Sequence, residues 1–213
     1  ALEQNVGRIE SIESASVSPL VAQDTVRNAI IAVIVAALFI LIYITWAFRN
    51  VPNPLRYGAA AIIALVHDVL VVLGTFSILG KIMNMEVNSM FIIGILTVIG
   101  FSVHDTIVVF DRIRENVALA TERTLEATIN TSLVETLGRS LNTGLTLLFT
   151  VIALLLIGGP TIQGLLLVFL VGVTVGTYSS ICIAAQLLIV WERKDISRLI
   201  RFLRSRRTAR AGN

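Results

Sequence analysis

The stretch that decides the fold is "GILTVIGFSVHDTIVVFDRIREN", Gly94 to Asn116. Most of it reads as a membrane span, yet His104 and Asp105 sit inside it with apolar residues on both sides. A carboxylate at membrane depth costs on the order of 3 kcal/mol on insertion scales, so an intramembrane Asp marks a candidate functional site. Working outward, the same pattern recurs. Of 213 residues, 55% are hydrophobic and 15% charged, against about 25% charged in a soluble domain, and the charge is bunched between apolar runs. Five runs approach or exceed the roughly 20 residues needed per crossing: 29–48, 57–79, 88–110, 137–157 and 164–190. The expected fold is an all-α membrane protein, a bundle of five transmembrane helices.

Lys and Arg set the expected orientation. Of the seventeen, fourteen fall on alternate connections that share one side, including eight in the tail from Trp191, and three on the other. The richer side is expected to be cytoplasmic. Residues 1–28 then read as the end of an extracytoplasmic domain and 191–213 as a basic cytoplasmic tail. Beside a final span, "RLIRFLRSRRTARAGN" reads as a topology anchor touching anionic membrane lipid rather than a nucleic-acid site. The start is polar, with no basic leader and no apolar signal core, which suggests an earlier span upstream. Cys182 lies alone inside the fifth run and reads as a small packing residue.

Between the third and fourth runs, Val117, Leu119, Leu125, Ile129, Leu133 and Leu137 recur at mostly helical spacing among charged residues. This predicts an amphipathic connector helix on the cytoplasmic surface, running into the fourth span. "GGP" at 158–160 marks the opposite turn.

Function can be argued from the polar residues within the spans. On the fourth, Arg139 is followed by Asn142, Thr143, Thr146 and Thr150 at helical intervals, which puts them on one face. That face is expected to be turned away from lipid. On the third, Ser102 shares the face of Asp105, with His104 adjacent. Asp105 lies nine residues before Arg114, roughly 13 Å along a helix, and Arg139 reaches a similar depth if its helix starts near Asn130. The two are therefore expected to pair across facing helices and share the cost of burial. Asp68, preceded by His67, lies near the middle of the second span.

A carboxyl with a movable Arg partner loads or releases a proton as their separation changes. If it meets opposite sides of the membrane in turn, proton flow and shape change become coupled. Protons, with no other cofactor, are the expected coupling ion. No "GxxxxGK[ST]" is present to support nucleotide hydrolysis. Adjacent His and Asp on a helix point about 100° apart, a poor arrangement for joint metal ligation. The small residues Gly172, Gly176, Ser180 and Ala184, four apart, read as close packing.

"GFSVHDTIVVFDRIREN" closely resembles the signature helix of the SecF family of bacterial protein-export membrane proteins. "LVETLGRSLNTGLTLLFTVIALLLIGG" resembles the span that follows it in that family, and "SVSPLVAQDTVRNAI" the exit from its extracytoplasmic domain. The family lies in the resistance-nodulation-division superfamily and has six spans, so the resemblance implies a C-terminal portion lacking the first span and most of the outer domain. It implies an accessory, non-enzymatic role in export across the cytoplasmic membrane, driven by the proton gradient. SecD, fused or separate, the SecY channel and secreted preproteins are the implied partners. Proton-pathway positions fall on Asp105 and Arg139, with Asp68 and Thr143 as further candidates and Asn142, Thr146, Ser102 and His104 in support. Two other readings are open: a lipid or drug exporter of the same superfamily, and an intramembrane aspartyl protease using Asp68 and Asp105 as a dyad.

Overall fold

The helices run beyond the ends of the apolar runs. The structure, a computed structural model, describes residues 19–49, 51, 53–83, 88–119 and 124–192. The segment 1–18 and the basic tail from residue 193 lie outside the described residues. The described chain forms α1 (Pro19–Ala47), α2 (Pro54–Met83), α3 (Ser89–Leu119), α4 (Leu125–Ile157) and α5 (Pro160–Ser179). A π-helical turn (Ser180–Ala184) then joins α5 to α6 (Ala185–Glu192). Five helical segments are long and apolar enough to cross a membrane, the fifth being the composite rod Pro160–Trp191.

Local chemistry marks the helix starts. Pro54 and Pro160 each occupy a first helical position, where a missing N–H costs nothing. Asn88 Oδ1 accepts from Phe91 N at 3.1 Å, and Thr124 Oγ1 accepts from Ala127 N at 3.3 Å, so side chains satisfy otherwise orphaned donors. Asn53, at φ 57°, turns the chain into α2, in the left-handed region that Asn tolerates.

The amphipathic connector takes a different form from the expected one. Among the described residues there is no separate surface helix: α3 runs on to Leu119 and α4 starts at Leu125. Ile113, Ile129 and Leu133 are buried where these extensions pack together. Arg112 clamps them, donating from Nε to Glu135 and from a terminal nitrogen to Glu115, each at 2.6 Å. Asn116 adds donations to Ser132 Oγ at 2.9 Å and Glu135 at 2.8 Å. Likewise α1 begins at Pro19, ten residues before the expected span.

The rod α5–π–α6 is the centre of the bundle, packed against α2, α3 and α4, whereas α1 packs chiefly on α2. Small residues bring α5 against α3. A Cβ on Gly172 would run into Val98, and one on Gly176 would lie 3.1 Å from Cβ of Ser102. At one end, Phe48 stacks on Tyr57 with ring centroids 5.4 Å apart, and Phe110 meets both edge-on. At the other, Phe76 packs on Phe91 at 4.7 Å. Between these aromatic plugs lies the polar interior.

Candidate functional site: two buried carboxylates

Asp68 on α2 and Asp105 on α3 are 2% and 6% exposed. A buried carboxylate must replace its lost hydration with hydrogen bonds or a cation, and here hydroxyls supply most of the replacement. Asp105 Oδ1 accepts from Ser140 Oγ at 2.7 Å, and its Oδ2 accepts from Ser180 Oγ. Asp68 Oδ2 accepts from Ser102 Oγ at 2.5 Å and from Ser179 Oγ at 2.7 Å. Its Oδ1 lies 3.1 Å from Nδ1 of half-exposed His67.

Each donor is placed by packing already described. Ser140 lies on the α4 face that carries Ile129, Leu133, Gly144 and Val151 inward. Ser102 stands one turn before Asp105 and meets Gly176 of α5, so it reaches across to Asp68. Ser179 and Ser180 are adjacent at the junction of α5 and the π turn. Neighbouring helical residues diverge by about 100°, so one reaches α2 and the other α3.

This corrects the expected Asp105–Arg139 pair. Among the described residues Arg139 makes no ion pair, and its side chain is exposed. The cause is angular. Ser140 takes the inward position on α4, so Arg139 lies about 100° round the helix. Asn142, Thr143, Thr146 and Thr150 are exposed with it on one flank. The threonine hydroxyls donate within α4: Thr143 to Arg139 O at 2.9 Å, Thr146 to Asn142 O at 2.6 Å and Thr150 to Thr146 O at 3.0 Å. His104 is also exposed, while Ser102 is buried as an Asp68 donor. Thus Asp105, Asp68 and Ser102 come together, and Arg139, Thr143, Asn142, Thr146 and His104 stand outside them.

Sequence reasoning missed Ser140, Ser179 and Ser180. The run at residues 172, 176, 180 and 184 was the available signal, but as a set it reads as packing; Gly172 and Gly176 do pack, whereas Ser180 holds a carboxylate. Cys182, expected to pack, is exposed. The two acids use different donor sets, and no hydrogen bond joins them among the described residues, unlike a protease dyad that shares one proton. Nor do three His, Cys, Asp or Glu side chains gather as a metal cage among those residues.

Long apolar helices enclosing carboxylates satisfied by hydroxyls define a multi-pass membrane protein with buried polar groups in its core. Comparison with known proteins narrows the class. The family described as "Protein export membrane protein SecD/SecF, C-terminal" matches residues 1–194, and the chain belongs to this family. It is 50% identical over 200 residues to the protein translocase subunit SecF of Thermobaculum terrenum, covering 94% of this chain and 63% of that one. It is 37% identical over 183 residues to the protein translocase subunit SecDF of Thermus thermophilus, covering 86% of this chain and 24% of that one. A crystal structure of SecDF, described as a translocon-associated membrane protein from the same Thermus species, superposes with a TM-score of 0.73 at 39% identity. That match covers 82% of this chain and 23% of the larger one.

Proposed function

We propose that the chain is the membrane-embedded part of a SecF-type subunit that couples the proton gradient to a late step of protein export across the bacterial cytoplasmic membrane. The observation that carries the reading is Asp105: a carboxyl buried inside a membrane helix, held by two hydroxyls rather than a fixed cation. Hydroxyls accept as well as donate, so such a carboxyl can be satisfied in both protonation states. A permanent Arg pair would favour one. Secreted preproteins are the substrates in this reading and the SecY channel the route.

SecD is the proposed neighbour, and the α4 flank supports this. Arg139, Asn142, Thr143 and Thr146 form an exposed polar stripe on a membrane helix, and intramembrane cations face a protein interior rather than lipid. Covered by SecD, the stripe brings Arg139 and Thr143 into the proton pathway from the partner's side. The excess of Lys and Arg on alternate connections supports an orientation with the N-terminal end outside and the C-terminal end inside. A cysteine in place of Ser14 should therefore react with an impermeant thiol reagent added to intact cells and one in place of Ser205 should not; the reverse pattern overturns the orientation.

The coupling itself is tested by Asp105→Asn in the full-length complex, scored for assembled complex in detergent and for gradient-stimulated export into vesicles. Asn keeps size and hydrogen bonding and removes titration. The expected result is normal assembly with loss of stimulation. Normal assembly with undiminished stimulation rules Asp105 out as carrier.

A further inference from the structure

We propose that Asp68 is a second proton-holding carboxyl, and that Ser179 and Ser180 at the π turn tie its protonation to that of Asp105. The inference rests on the reading of Asp105 as a proton carrier and extends it to a two-carboxyl unit.

Three observations converge. First, Asp68 is as deeply buried as Asp105 and is built in the same manner, with serine hydroxyls from two other helices. Second, the two sites share one mechanical part. Ser179 serves Asp68, and Ser180, the next residue, serves Asp105. Ser102, the other donor to Asp68, sits one turn from Asp105 on α3. Third, each of the paired serines has a second acceptor within reach. Ser179 Oγ lies 3.3 Å from Gly176 O, and Ser180 Oγ lies 3.1 Å from Thr177 O.

These second acceptors allow a balanced exchange. When a proton arrives on a carboxylate oxygen, the new carboxyl O–H donates to the serine Oγ. The serine O–H swings from the carboxylate to the carbonyl three residues back. No bond to a heavy atom breaks, and every donor keeps an acceptor. Because the two serines are consecutive, Ser179 closing α5 and Ser180 opening the π turn, a shift that accommodates the exchange at one displaces the other. π turns inside α-helices occur frequently at functional sites, and this one lies where such a shift reaches both acids.

The surroundings leave few competing charges. Among the described residues His67, on α2 itself, is the titratable group in contact with Asp68. From α3, α4 and the α5 rod the groups facing the two acids are the hydroxyls of Ser102, Ser140, Ser179 and Ser180. His104 on α3, Arg139 on α4 and Tyr178 on α5 are adjacent in sequence to these groups but exposed. Within α1, Asp24 and Arg27 lie in its first turns, while Ile44 and Phe48 are buried at the opposite end.

The test uses full-length protein with its partner subunit in lipid vesicles, following the carboxyl C=O infrared band through a pH titration. Asp105→Asn should leave one titrating buried carboxyl, and Asp68→Asn should leave the other. Asp68→Asn should also move the midpoint of Asp105 by about one pH unit, a tenfold change in proton affinity. That displacement should fall to less than about a third of its size in a Ser179→Ala, Ser180→Ala background, or in Ser180→Ala alone if the double variant fails to assemble. A spectrum of Asp105→Asn without a second titrating carboxyl overturns the proposal. So does a displacement of equal size with and without the serines, since the acids would then interact through space. Failure of the Asp105 carrier reading appears in a different signal, undiminished gradient-stimulated export by Asp105→Asn.

Discussion

One residue of register separates Arg139 from Ser140, and that step decides what Asp105 meets. Ser140 is 1% exposed, and its Oγ donates to Asp105 at 2.7 Å. Ser140→Ala leaves a buried carboxyl with one donor fewer and should cost about 1–3 kcal/mol, read as a lower unfolding midpoint of the subunit in detergent. Thr143→Ala removes only a bond to its own helix on an exposed flank and should stay within about 0.5 kcal/mol. Equal losses would return the weight to the threonine stripe. The acids were legible in the sequence because a charge within an apolar run is conspicuous and costly. Their serines were not: a serine is tolerated almost anywhere in a membrane helix, and its role depends on which neighbour it faces. Arg139 drew the reading because of its charge, while the angular position that mattered belonged to the residue beside it.

Among the elements, the contact of α3 with the α5 rod sets the distance between the acids and the serine pair. Gly172→Ala pushes a methyl group into Val98, and overpacking of this kind costs about 1–3 kcal/mol. Gly100→Ala on α3 meets nothing within 4 Å and should change stability by no more than about 1 kcal/mol. Thermal unfolding of both variants in the same detergent checks the pair; similar losses would deny the close approach. Five apolar runs gave the number of rods correctly. Their lengths were legible only in part, because α3 and α4 continue as charged helices fastened by Arg112 and Asn116, which a hydropathy pattern cannot register. The π turn in "SICIA" carries neither Pro nor Gly to announce it; it lies where the rod packs against α2 and α3.

For the whole molecule, the uneven finish of the surface is the main clue to assembly. The exposed face of α1 is apolar, with Phe39, Ile42 and Trp46 more than half exposed, and suits lipid. The exposed flank of α4 carries Arg139 and three threonines and does not. A photoreactive amino acid in place of Thr146 should therefore capture the partner subunit in native membranes, while one in place of Phe39 should yield lipid adducts. A Thr146 position giving lipid adducts alone would remove the proposed SecD interface.

The serine pair also imposes a schedule on manufacture. Asp68 is synthesised 111 residues before Ser179, which at bacterial elongation rates of about 5–20 residues per second is a delay of roughly 6–22 s. Ser102 follows Asp68 by 34 residues and Ser140 follows Asp105 by 35, but until the last rod is made each acid lacks one of its two serine donors, Ser179 for Asp68 and Ser180 for Asp105. The nascent bundle must harbour both acids at the insertion machinery, or admit them uncharged, until the final rod arrives to close the structure around them.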